Sequence, residues 1–95
     1  LRLTYSSAIE KDVDDIAYRM SEDSPARANR FVRGIHAEFR RIAANPFAFQ
    51  LRPDLAKDAR LAVFGSYVIL FRVLASTVKI ERVVFGGRDL PPLIQ

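Results

Sequence analysis

Apolar positions along this chain change period once, and the change divides it into two kinds of element. Ile9, Val13, Ile16, Ala17 and Met20 step by three and four residues, which lays one apolar stripe along a helix. Ala28, Phe31, Ile35, Phe39 and Ile42 make a second such stripe. From residue 60 onward the pattern becomes runs of β-branched and aromatic residues at 60–64, 67–73 and 78–85, separated by Gly65-Ser66 and Ala75-Ser76. Two-residue connections admit only antiparallel neighbours, so these runs predict a meander. Residues 1–5 alternate apolar and polar and predict a short strand ahead of the helices.

The boundaries carry local signals. Ser7 followed by Glu10 predicts a capping box at the start of the first helix, which should end near residues 21–23. Ser24-Pro25 predicts the next start, with serine as N-cap and proline where its missing N–H is harmless. Asn45-Pro46 stops that helix. Residues 46–58 hold two prolines and little periodicity, and predict an ordered loop pinned by Phe47, Phe49 and Leu51. The predicted order is β-α-α-β-β-β. This is an α+β fold in which a helical hairpin packs on a small antiparallel sheet of three or four strands. With two-residue turns, Phe64 faces Tyr67 and Leu74 faces Thr77. The helix-facing side then carries Ala62, Phe64, Tyr67, Ile69, Phe71, Val73, Val78, Ile80 and Val84, together with Arg60 and Arg82. A β-bulge would shift part of that assignment.

Composition narrows the classes. Ninety-five residues fit a single domain over 1–95. The absence of cysteine excludes disulfides and thiolate chemistry. No apolar run approaches the ~20 residues that span a bilayer, and no signal-peptide pattern opens the chain, so the expected location is the cytoplasm. Net charge is +4 and unevenly spread. Residues 1–24 hold six acids against three bases, whereas residues 25–60 hold eight bases against three acids. Arginine outnumbers lysine, which suits planar recognition of carboxylate or phosphate. Charge alone does not choose between an acidic protein partner and a nucleic acid.

Catalytic chemistry finds little support. His36 is the one histidine and sits mid-helix beside Arg33 and Arg40 with no acid placed to orient it, as a general base requires. One histidine among scattered carboxylates makes no zinc site. Asp12, Asp14 and Asp15 mimic an acidic metal cluster, but on a helix they point apart and read as a solvated face favoured by the helix dipole. Gly86-Gly87 follows a strand and opens no helix, so it is no phosphate loop. No catalytic residue, metal or cofactor is expected. The arginines are the candidate partner- or target-binding residues: Arg33 and Arg40 on the basic arc of the second helix with Arg30 and Arg41, and Arg60, Arg72, Arg82 and Arg88 on the sheet and its end. The plainer reading sets the sheet arginines in pairs with Glu81, Asp58 and Asp89. It gives Arg60 and Arg82 internal anchoring roles.

Several stretches, taken together, resemble a known family. They are Leu3 and the helix entry at 6–9, Asn45-Pro46, Leu51-Arg52-Pro53-Asp54-Leu55, and Arg60. They continue through Gly65-Ser66-Tyr67-Val68-Ile69-Leu70-Phe71-Arg72-Val73 and Ile80-Glu81-Arg82-Val83-Val84-Phe85-Gly86-Gly87-Arg88-Asp89-Leu90. In this order they resemble ParE toxins of the RelE/ParE toxin–antitoxin superfamily, over almost the whole chain. The resemblance implies a cytoplasmic toxin that inhibits DNA gyrase and forms a hetero-oligomer with a cognate ParD-like antitoxin encoded beside it. RelE-type relatives instead cut messenger RNA on the ribosome. That branch tends to place a basic residue before the Gly-x-Tyr turn and a histidine or tyrosine near the C-terminus. Here Val63-Phe64 precede the turn and neither residue type follows Tyr67, so the gyrase-directed branch is expected and the endonuclease is the alternative. Arginine stays protonated and cannot take a proton from a ribose hydroxyl.

Overall fold

A computed structural model of the protein describes residues 1–86. Strand β1 spans Arg2–Tyr5, helix α1 Ile9–Asp23 and helix α2 Pro25–Ala44. A 3-10 turn at Pro46–Ala48 leads to β2 (Gln50–Leu51), β3 (Ala59–Phe64), β4 (Tyr67–Leu74) and β5 (Thr77–Phe85). The helical hairpin and the meander follow the sequence pattern. The sheet differs from expectation in two ways. It has five strands in the order β1-β5-β4-β3-β2, and β1 pairs with β5 in parallel, so the sheet is mixed. The parallel pair arises because the helical hairpin carries the chain from β1 across one face of the sheet. The extra strand is Gln50–Leu51, inside the stretch expected to be loop.

Both helix-facing stripes are buried. Ile9, Val13 and Ile16 of α1 and Phe31, Ile35, Phe39 and Ile42 of α2 meet Ala62, Ile69, Phe71, Val78, Ile80 and Val83 of the sheet. Gly34 lets α2 settle on β3, since a Cβ there would lie 2.8 Å from Phe64 Cζ. Ser24 Oγ accepts from Arg27 N–H at 3.2 Å and Pro25 opens α2, as expected. The start of α1 is different. Its N-cap is Ala8, with no side-chain cap. Ser6 rather than Ser7 does the local work, accepting from Ala8 N–H at 3.2 Å and donating to Glu81 O at 2.6 Å.

Both predicted hairpin pairings, Phe64 with Tyr67 and Leu74 with Thr77, are present. Between them the ladder steps from Leu70–Arg82 to Phe71–Ile80, which leaves Glu81 as the extra residue of a β-bulge. Beyond the bulge the faces swap. Val83 joins the helix-side core, while Val84 joins Leu55, Val68, Leu70 and Leu61 on the opposite face. In the 46–58 segment, Phe49 packs edge-on against Phe71. Phe47 and Leu51 are exposed, and the residue that pins the segment is Leu55, which is 1% exposed.

Candidate interaction surfaces

Helix α2 displays its cations because its apolar stripe faces the sheet. Arg30, Arg33, Arg40 and Arg41 are exposed, and only Arg41 makes an ion pair among the described residues, 3.4 Å from Glu38. Arg33, His36 and Arg40 follow one another at helical spacing along one flank. His36 is also exposed, its ring edge-on to Phe39. Helix α1 carries the opposite sign, with Glu10, Asp14 and Asp15 exposed and Lys11 Nζ 2.6 Å from Asp15.

The sheet arginines are committed internally. Arg60 donates to Phe49 O at 2.6 Å and stacks over the Phe47 ring at 5.2 Å, fastening the 46–49 turn to β3. Arg72 donates through Nε and Nη2 to Glu81 Oε2 at 2.9 and 2.7 Å. The bulge presents Glu81 to it, and this residue is only 5% exposed. Arg82 makes a two-pronged pair with Asp12 of α1 at 2.8 and 2.9 Å. Asp12 Oδ2 also accepts from Val83 N–H at 3.0 Å, closing the edge of β5 beyond the end of β1. Hydrogen bonding to Asp12 raises the Arg82 guanidinium above its already high value. Arg88 and its proposed pairing with Asp89 lie outside the described residues.

The five candidate arginines among the described residues therefore form no single site. Arg33 and Arg40 face solvent on α2, whereas Arg60, Arg72 and Arg82 hold three separate parts of the fold together. Sequence reasoning missed Asp12, assigned to a solvated face. Its signal was present in retrospect, because Asp12 follows Ile9 by three residues and precedes Ile16 by four, on the edge of the buried stripe. Among the described residues no group of three or more His, Asp or Glu side chains is placed to hold a metal ion.

The surface also carries concave areas. A groove of about 370 Å³ runs between α1, α2 and the end of β1, floored by Tyr5, Ile9, Val13 and Val32 with His36 and Glu10 at its rim. A shallow depression of about 360 Å³ lies at the β3–β4 turn beside the exposed Val63 and Phe85. Both linings are mainly apolar, the character of surfaces that bind other proteins. Among the described residues no helix is long and apolar enough to cross a membrane.

A family model described as the ParE toxin of the type II toxin–antitoxin system parDE matches residues 3–90. No curated protein matches the chain in sequence. Among solved structures, a chain of the chromosomal ParDE toxin–antitoxin system from P. aeruginosa superposes with a TM-score of 0.78 at 18% identity. The match covers 90% of this chain and 95% of that one. At that identity the likeness establishes the fold.

Proposed function

The chain belongs to the ParE toxin family of type II toxin–antitoxin systems, and from that premise we propose that it poisons DNA gyrase in the cytoplasm by binding it. In this reading it catalyses no reaction, and a ParD-like antitoxin neutralises it in a hetero-oligomer. The observation that carries the non-catalytic reading is the commitment of Arg60, Arg72 and Arg82 to a backbone carbonyl and two carboxylates of their own fold. A ribonuclease would aim such groups at a scissile phosphate and set a proton donor and acceptor beside them. The surface that would be left for recognition is apolar ground flanked by α2 arginines that, Arg41 aside, have no carboxylate partner among the described residues, which suits a protein partner.

Expression without antitoxin should stop division and induce the DNA-damage response. Purified chain should inhibit supercoiling by gyrase or trap its cleaved DNA complex. Growth arrest accompanied by codon-positioned cleavage of messenger RNA on ribosomes, with gyrase unaffected, would overturn the proposal in favour of the endonuclease.

A further inference from the structure

The two faces of the sheet are unequally covered. Both helices lie on one face, whereas the outer face carries the smaller cluster in which Leu55 packs with Val68, Leu70, Leu61 and Val84. Strand register sets two apolar rows across that outer face. Leu61 stands opposite Leu70, and Val63 opposite Val68, which in turn stands opposite Val84. Val63 is the member of these rows that the cluster leaves out, and it is 66% exposed. It borders the shallow depression of about 360 Å³ shared with Val68, Phe85 and Gly86. Gly86 brings no side chain to that ground, and a Cβ on it would lie 2.9 Å from Val68 Cγ1.

The chain leaves the sheet at this same spot. Gly86 N–H donates to Ser66 O at 2.9 Å, at the rim of the depression. Next come Gly87-Arg88-Asp89-Leu90-Pro91-Pro92-Leu93-Ile94-Gln95. Two glycines in succession suit a reversal of direction. Pro91 and Pro92 lack an N–H for a strand ladder and favour the polyproline II conformation. That helix repeats every three residues with a rise of about 3.1 Å each, so Leu90 and Leu93 fall on one side about 9 Å apart. Adjacent strands lie about 4.8 Å apart, which separates Val84 on β5 from Val63 on β3 by about 10 Å across β4. The two leucines match the span of the valine row. Residues 87–89 reach about 10 Å when extended, enough to turn and arrive over it.

We infer that residues 90–93 cross the outer face as a strap in the polyproline II conformation. Leu90 lies over Val84 and Val68, Leu93 lies over Val63, and the strap closes the smaller cluster beside Leu55. Being part of the same chain, it meets the row at a high effective concentration, so a small contact suffices. A separate protein is the poorer occupant, whether a second copy or another partner. A stable interface covers about 800 Å² on each side, far more than one row of three valines presents. The strap completes the fold whatever the chain's target, and while closed it withdraws this depression from partners.

Methyl NMR of the purified chain of residues 1–95 tests the strap directly. Nuclear Overhauser contacts should join the Leu93 methyls to those of Val63, and the Leu90 methyls to those of Val84 or Val68, at a strength independent of protein concentration. Ending the chain after Asp89 should lower its Tm by roughly 4–8 °C. Val63→Thr, which keeps a β-branched residue in the strand, should lower Tm in the chain of residues 1–95 and leave it nearly unchanged in the shortened one. A residue that supported only its own strand would show the same loss in both. Should the shortened chain fail to fold, the methyl contacts still decide. Absence of those contacts, with Tm unmoved by the truncation, would overturn the strap. Contacts from Leu93 to the helix-side residue Tyr67 instead would overturn it, as would contacts that isotope-filtered spectra place between two copies.

Discussion

At the scale of single residues, Asp12 is an acid whose role is structural. It joins α1 to β5 through two charge-assisted bonds to Arg82 and one to Val83 N–H. Asp12→Ala removes every acceptor and should destabilise the fold by about 2–3 kcal/mol, while Asp12→Asn keeps an acceptor for Val83 N–H and should cost about half as much. Urea unfolding of the two variants checks the ranking. The Arg82 group is raised in the fold, so its contribution is fully present below the ordinary guanidinium range and is lost only as pH rises through the still higher folded value. The pair is therefore insensitive to pH from neutral to strongly basic conditions. Ala75 shows the opposite kind of residue effect. It holds φ of 52° in the β4–β5 turn, a conformation that L side chains resist. Ala75→Gly should raise stability by about 0.5–1 kcal/mol, relief of strain outweighing the added freedom of the unfolded chain. A thermal melt no higher than the parent's would contradict this.

At the scale of elements, the helices were legible because 3.6-residue periodicity, Ser24-Pro25 and Asn45-Pro46 all point the same way. The hairpin register was legible because Gly65 takes φ of 59° in a two-residue turn that fixes the pairing on either side. Two things were not. The Glu81 bulge leaves no periodic trace, since Val83 and Val84 are equally apolar and either suits the core. The parallel partner of β1 is a long-range choice that four residues cannot announce. The candidate site was less legible still, because an arginine in a strand looks the same whether it meets Asp12 or a ligand. The 46–58 segment shows how a loop hides its anchor. Leu55→Ala should cost about 2–5 kcal/mol despite its place outside any regular element, because the side chain seals the second apolar cluster. Urea denaturation measures that cost, and a negligible change would mean the cluster collapses without it. Beside Leu55, hydrogen bonding from Arg52 holds the exposed Asp54 carboxyl below its usual range. That bond supports the loop above the unfolded aspartate value of ~3.9 and is lost as pH falls through the lower folded one.

At the scale of the whole molecule, a chain of 95 residues with one helical hairpin on a five-stranded sheet has a modest stability margin. The surface proposed for recognition sits on the elements that hold it together. The flank of α2 that bears Arg33 and Arg40 belongs to the helix whose other side supplies Phe31, Ile35 and Phe39 to the core. A partner bound there adds its binding free energy to that of folding, because only the native arrangement presents that flank. By mass action, antitoxin at a free concentration of about 100 times Kd should stabilise the chain by about 2.7 kcal/mol. For a chain of this size that corresponds to a rise in Tm of roughly 10–20 °C. Scanning fluorimetry across a titration should show Tm climbing with the logarithm of antitoxin concentration. With Arg40→Glu, the same curve should shift to higher concentration without any change in its antitoxin-free starting point. A Tm that stays flat through a large excess of antitoxin would mean that the partner does not grip the native fold, and neutralisation would then require a different explanation.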